Sequence, residues 1–355
     1  MKILITGAAG FIGYFLVKYL LQKGEEVVGL DNINDYYDVN LKFARLNKSG
    51  IAKKKIDYNK ITESSKYPNY KFIKLELVDR ENLSKLFMEE KFDIVCNLAA
   101  QVGVRYSLEN PNVYLESNFI GFFNIIDQCR IYDIKNFVYA SSSSVYGLNR
   151  KMPFSEKHNV DHPLNLYAAS KKSNESIAHT YSYLYDIAAT GLRFFTVYGP
   201  WGRPDMAYFK FANQIMKGEP IDIYNNGEMM RDFTYIDDII EGIVRVIYSP
   251  AQANVSWDGN NPEPSSSTAR YKIYNIGNNN PVRLLDFIKE LENALGIRAK
   301  KNFLPMQPGE VPVTWADSGN LMKELGYRPD TPLCVGIRKF IEWYQEFYGF
   351  KLQKH

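Results

Sequence analysis

The chain has 355 residues, 45% of them hydrophobic and 23% charged, with a formal net charge of +3. These are the proportions of a globular protein long enough for one large or two ordinary domains. The charge is too small to argue for a nucleic-acid partner. Three cysteines (Cys96, Cys129 and Cys334) and four histidines, with no clustering between them, fit neither a disulfide framework nor a metal centre. No uninterrupted apolar run approaches a membrane span, and glycines break the apolar N-terminus where a signal peptide would need continuity. Unpaired thiols point to a reducing, cytoplasmic setting.

Lys2–Thr6 is a β-forming run that ends at Gly7-x-x-Gly10-x-x-Gly13. An apolar helical pattern through Phe15, Leu16, Tyr19 and Leu20 follows and stops at Gly24. A second strand, 26–30, ends at Asp31. Such a strand, glycine turn, helix, strand and acid lets backbone approach a pyrophosphate, with helix N–H groups and the dipole favouring the anion. The bare glycine spacing is weak in a chain with 23 glycines; its position in the unit gives it meaning. Asp31 stands where a carboxylate would bind a ribose 2′-hydroxyl and repel a 2′-phosphate, favouring NAD over NADP. The alternative for Asp31 is a loop cap at the strand end.

Residues 32–70 read as a helix near 38–47 within a polar surface excursion. A strand at 71–75 leads to Glu76 and Leu77, placed to meet an adenine, and Asp79 caps the next helix. The strand at 92–98 runs into Leu98, Ala99, Ala100 and Gln101, small enough at 99–100 for a cofactor to lie against the backbone. A long helix carrying Asn118 precedes a strand at 136–140, which ends in the run Ser141-Ser142-Ser143-Ser144. The helix bearing Tyr167 and Lys171 comes next, then a strand at 188–194. This alternation predicts a doubly wound parallel (Rossmann) α/β sheet, with ligands at the strands' carboxyl ends.

Tyr167 and Lys171, four apart on a helix, share one face. An ammonium there can favour the phenolate and draw the tyrosine pKa from about 10 toward neutrality, as a proton shuttle for a substrate hydroxyl requires. The same spacing occurs at Tyr14/Lys18, Tyr19/Lys23, Tyr67/Lys71 and Tyr70/Lys74, so only the placement after a nucleotide-binding half and the serine run singles out Tyr167.

Beyond Phe195 the texture changes to a turn-rich loop, 196–204, followed by short elements. Arg231-Asp232 leads into a helix expected to dock back on the sheet, and 250–270 reads as an exposed polar insertion. The domains are expected at 1–195, with a returning segment near 232–250, and at 196–355, a smaller C-terminal α/β unit.

Together, Gly7-x-x-Gly10-x-x-Gly13, Asp31-Asn32, Asn97-Leu98-Ala99-Ala100, the serines before Val145-Tyr146-Gly147, Tyr167-x-x-x-Lys171 and Arg231-Asp232 resemble the extended short-chain dehydrogenase/reductases acting on nucleotide sugars. Three longer stretches (31–38, 100–107 and 196–206) look like those of UDP-glucuronate 4-epimerases. The resemblance implies NAD bound by Gly7, Gly10, Phe11, Ile12, Gly13, Asp31, Asn32, Glu76, Leu77, Leu98, Ala99, Ala100, Gln101, Asn118, Tyr167, Lys171 and Phe195. It makes Tyr167 the acid/base, Lys171 the ribose holder and Ser142 the partner of the reacting hydroxyl. Ser143 and Ser144 fall to the substrate side, with the register of the serine run open. Arg231 would hold a UDP diphosphate, although Gln307 stands where related galactose epimerases carry a second arginine. Thr196 and Arg203, with Arg105 in reserve, are candidates to grip a uronate carboxylate, because a guanidinium fork suits that group. The resemblance also implies a homodimer through helices near 110–130 and 165–185. The alternatives are a 4-epimerase for another UDP-hexose, such as an N-acetylated one, a decarboxylating relative, or a non-catalytic NAD-binding sensor.

Overall fold

The computed structural model describes residues 1–307 and 311–350. The end of the expected second domain, 351–355, lies outside them. The strands are β1 (Lys2–Thr6), β2 (Glu26–Asp31), β3 (Ile61–Glu63), β4 (Tyr70–Lys74), β5 (Ile94–Asn97), β6 (Asn136–Ser142), β7 (Ala188–Phe194), β8 (Thr196–Tyr198), β9 (Ile221–Ile223), β10 (Met230–Tyr235), β11 (Tyr271–Ile276), β12 (Pro281–Arg283) and β13 (Lys301–Phe303). Eight of them form one sheet in the order β11-β7-β6-β5-β1-β2-β4-β3. All neighbours in it are parallel except the β3–β4 pair.

The doubly wound α/β class follows from this order. From β1 the chain steps outward through β2 to β4, then returns to lay β5 on the other side of β1. That reversal leaves a crevice at the carboxyl ends of β1 and β5. β1 is apolar without alternation because both its faces are covered: Ile3 and Ile5 belong to one core and Leu4 to the other.

The first helices are α1 (Phe11–Gln22), α2 (Val39–Lys48, capped by Asp38) and α3 (Arg80–Glu90, capped by Asp79). Short turns α4 (Tyr106–Glu109) and α5 (Asn112–Tyr114) enter a π-helical stretch, Leu115–Gly121, which continues as α6 (Phe122–Ile131). Next comes α7 (Leu166–Tyr185), started by Asn165, whose side chain accepts from Ala168 N at 2.9 Å. The remaining helices are α8 (Ala207–Met216), α9 (Ile236–Ile247), α10 (Leu284–Leu295), α11 (Gly319–Leu325) and α12 (Leu333–Tyr348).

A three-stranded sheet, β12-β10-β8, and a two-stranded one, β13-β9, stand beside the large sheet. The chain's return to the main sheet extends past 250. Helix α9 packs on α1 and β6, and β11 then pairs with β7 from Tyr271 to Ile276. The 32–70 excursion also holds more order than its polarity predicts, since β3 lies within it and pairs with β4 at its end. No helix among the described residues is long and apolar enough to cross a membrane.

Candidate active site

The glycine turn is tight because each glycine has a neighbour where a side chain would be. Gly7 has φ +72°, and a Cβ there would lie 2.9 Å from Ala99 N. A Cβ on Gly13 would lie 2.1 Å from Gly7 O, so the start of α1 sits directly on the turn. Thr6 Oγ1 donates to Asn97 Oδ1 (2.5 Å) and accepts from Ala99 N (3.0 Å), tying the ends of β1 and β5 together. The result is a backbone cradle at a helix N-terminus that fits a dinucleotide pyrophosphate. Asp31 closes one end of it. Its Oδ2 accepts from Ala9 N (3.0 Å) and its Oδ1 from Ile33 N (2.8 Å). The carboxylate therefore caps the loop, and it also lines the cleft.

That cleft, about 650 Å³, is lined by Gly7, Gly10, Phe11, Ile12, Gly13, Asp31, Asn32, Glu76, Leu77, Leu98, Ala99, Ala100, Gln101, Ser142, Tyr167, Lys171 and Phe195. Asn118 is not in its wall. It is buried behind it on the π-helical stretch, where it accepts from Gln101 N (2.8 Å) and donates to Gln101 O and Ser170 Oγ (both 3.0 Å).

A second cleft, about 600 Å³, is lined by Ser142, Ser143, Ser144, Tyr167, Phe195, Thr196, Arg203 and Arg231, with Arg105 also in its wall. The two clefts share Ser142, Tyr167, Phe195 and Arg203. The serine run divides by function of position. Ser141 is turned inward and donates to Glu175 Oε1 (2.6 Å), which with Oε2 also accepts the Arg193 fork (both 2.9 Å). Ser141 also lines the first cleft, Ser143 and Ser144 line the second, and Ser142 lines both.

The electrostatics at Tyr167 differ from expectation. Burial pushes its phenol above the ordinary value of 10, while the Ser142 hydroxyl and the Arg203 guanidinium oppose that rise. Desolvation penalises the phenolate, and what relief there is comes from Ser142 and Arg203 rather than from Lys171. Lys171 itself is buried, donates to Ala140 O at 2.8 Å, and is lowered by burial to about 8 against the pull of Glu175.

Arg203 is also not simply poised for a ligand. Its Nε and Nη2 fork onto Asp205 Oδ1 (3.0 Å) and Oδ2 (2.6 Å), and Tyr36 OH donates to Asp205 Oδ2 at 3.3 Å. Arg231 does not pair with Asp232. It donates to Met230 O (2.8 Å) and Pro312 O (2.9 Å), whereas Asp232 is buried and accepts from Asn278 N (2.8 Å) and Ala316 N (3.0 Å). The Arg105 guanidinium lies 4.8 Å from the Tyr224 ring centroid. Gln307 is in neither cleft wall, and its Oε1 is buried.

Sequence reasoning missed a run of rings at the junction: Tyr36–Tyr106 (5.0 Å), Tyr106–Tyr114 (6.4 Å) and Tyr114–Tyr167 (6.2 Å). Of these, Tyr36, Tyr106 and Tyr167 line both clefts and Tyr114 is buried behind them. Their place on the segments that follow β2 and β5, beyond the strands' carboxyl ends, was the available signal. Lys42, in the dinucleotide cleft and bonded to Asn34 O and Oδ1 (both 2.7 Å), had no local signal, and Asp205 was read only as part of the 196–206 stretch. Among the described residues no group of three or more His, Cys, Asp or Glu could hold a metal ion.

A parallel sheet with a glycine cradle at its switch point, and a tyrosine between two clefts, defines a dinucleotide-dependent enzyme. The chain belongs to the NAD dependent epimerase/dehydratase family, which matches residues 3–277. It is 53% identical over 348 residues to Protein CapI of Staphylococcus aureus, covering 98% of this chain and 99% of that one. It is 46% identical over 357 residues to UDP-glucuronate 4-epimerase 4 of Arabidopsis thaliana, covering 98% and 76%. Its fold superimposes on UDP-glucuronic acid 4-epimerase from Bacillus cereus, solved with UDP-glucuronic acid and NAD. The TM-score is 0.83 at 32% identity, and 98% of this chain and 100% of that one are covered.

Proposed function

We propose that this chain interconverts UDP-glucuronate and UDP-galacturonate at C4 with NAD held throughout the cycle. The observation that carries this reading is the meeting of the two clefts at Ser142 and Tyr167, which gives a nicotinamide and a sugar one shared wall. Residues 1–195 and the segments that return to the main sheet would hold the dinucleotide. The rest would hold the UDP-sugar.

Bound NAD would supply reversible hydride transfer at the sugar C4. Tyr167 takes the O4 proton and later returns it, and the Ser142 hydroxyl beside it steadies the oxygen. The ammonium of Lys171, tied to Ala140 O and lining the first cleft, would meet the ribose hydroxyls. Arg231, on β10 in the wall of the second cleft, would hold the diphosphate about which the 4-keto sugar turns. A uronate 4-ketone is a β-keto acid, so its carboxylate must be held with the C5–C6 bond out of overlap with the carbonyl. Arg203 and Thr196 take that role. Because Asp205 holds Nε and Nη2 of Arg203, a substrate carboxylate either displaces Asp205 or binds at the Nη1 edge. Holding the reacting atoms in register supplies much of the rate, since effective molarities reach on the order of 10⁵–10⁸ M.

Purified protein given UDP-glucuronate and no added NAD is expected to form UDP-galacturonate, and failure to do so rejects the reading. One observation favours a neutral UDP-hexose instead: Arg203 already has a carboxylate partner in Asp205. Faster turnover of UDP-glucose or UDP-N-acetylglucosamine would establish that alternative, and released CO₂ would mark a decarboxylating enzyme.

The homodimer also belongs to this proposal. Leu115, Ile120, Tyr183 and Leu184 on the π-helical stretch and α7 are 45%, 50%, 66% and 59% exposed, and such an apolar face suits a second copy. Sedimentation of the wild type as a dimer, and of Leu184→Asp as a monomer, is the expected outcome. A monomeric wild type rejects it. The free thiols of Cys96, Cys129 and Cys334 support a cytoplasmic site.

A further inference from the structure

Helix α2 carries a cation far from any surface role. Arg45 has no solvent exposure, and its guanidinium makes five hydrogen bonds. Nη1 donates to Ala9 O (2.9 Å) and Tyr37 OH (2.8 Å). Nε and Nη2 both donate to Trp201 O (3.2 and 2.6 Å), and Nη2 also donates to Gly202 O (3.2 Å). Every acceptor is a carbonyl or hydroxyl oxygen. Burying a guanidinium is costly unless its donors are satisfied, and α2 already has Leu41 and Leu46 to anchor it in the core. A side chain of this kind is explained by what it joins.

Its acceptors come from two places far apart in the chain. Ala9 lies in the glycine turn, where its N–H donates to Asp31. Trp201 and Gly202 immediately precede Arg203. A planar fork with donors on several edges can serve carbonyls on opposite sides, which the point charge of a lysine cannot.

We propose that Arg45 is a positioning residue that fixes the backbone at 201–203 against the dinucleotide turn, and so aims Arg203 at the substrate carboxylate. The proposal rests on the reading of Arg203 as the uronate grip. It makes selectivity for an acidic sugar depend on a residue that touches neither ligand.

The test measures binding of UDP-glucuronate and UDP-glucose to the NAD-loaded enzyme by calorimetry. Arg45→Lys keeps the buried charge and loses the fork. Its affinity for UDP-glucuronate is expected to fall about tenfold, the loss associated with hydrogen bonds to a charged group, with UDP-glucose little changed. In an Arg203→Leu background the Arg45 substitution should add no further loss of uronate preference, as residues acting through one another are non-additive. Equal losses for the two sugars, or a full additional loss in that background, overturn the proposal. A wild-type preference that Arg203→Leu removes and Arg45→Lys leaves intact overturns it alone. A wild type with no preference sinks the uronate reading and this proposal with it. Should Arg45→Lys fail to fold, Tyr37→Phe removes only one acceptor. It is expected to move the same ratio about two- to threefold in the same direction, and an unmoved ratio overturns the proposal.

Discussion

Tyr167 and Lys171 share one face of α7, yet burial moves them in opposite directions, the phenol above 10 and the ammonium down to about 8. The groups that favour the phenolate are Ser142 and Arg203, one on the serine run and one on the loop after β8. Tyr167→Phe removes the ionisable oxygen and little volume. Turnover is expected to fall by at least about 10²–10⁴-fold, the span of general acid–base contributions, with NAD still released in stoichiometric amount when the variant is denatured. Near-normal activity would end the acid/base assignment. Arg203→Leu is expected to weaken UDP-glucuronate more than UDP-glucose in parallel inhibition or binding series. Equal weakening would mean that the guanidinium does not read the carboxylate.

At the scale of elements, the β1–α1 junction is the least tolerant of change. A Cβ at Gly13 would come within 2.1 Å of Gly7 O, and no rotamer change can relieve a contact with backbone. Gly13→Ala is expected to cost about 1–3 kcal/mol or more of stability, as overpacking does, and to yield protein with little bound NAD. Wild-type NAD content and melting temperature would contradict the tight-turn account. This junction was legible in the sequence because glycine spacing, β-rich flanks and Asp31 are local signals. So were β4 to β7, each a short apolar run between helical patterns. β11 was not, because β8 to β10, two helices and a polar insertion separate its six residues from β7, their partner, and nothing in Tyr271–Ile276 names that neighbour. The Arg203–Asp205–Tyr36 chain and the desolvation of the Tyr167 phenol were hidden for the same reason. Spacing along a helix says which residues share a face but not how far that face is from water.

For the whole molecule, the pH response of stability has a contributor that lines neither cleft. Glu156 is fully buried, accepts from Asn275 N (2.8 Å) and Asn320 Nδ2 (3.1 Å), and is pushed by burial from its ordinary 4.5 to about 7. The folded chain therefore holds a proton that the unfolded chain has released between those values. This stabilisation is fully present below pH 4.5 and is lost as pH rises through 7. Glu156→Gln removes the titration, so the stability of the variant relative to wild type is expected to rise across that window by on the order of 3 kcal/mol. Urea unfolding of both proteins at pH 4.5 and pH 8 measures it, and a constant difference would refute the assignment.

The strand β11, added to the large sheet after the chain has already built β8, β9 and β10 elsewhere, has a further consequence. The 250–270 insertion is exposed mainly in its middle, since Ala251, Ser265, Ser266, Ser267 and Ala269 are buried. Because Tyr271–Ile276 is zipped onto β7 along its full length, a protease cutting at the exposed Ser256 or Asp258–Asn261 would sever the polypeptide without parting the particle. The nicked enzyme should elute as one body and run as two bands only once denatured.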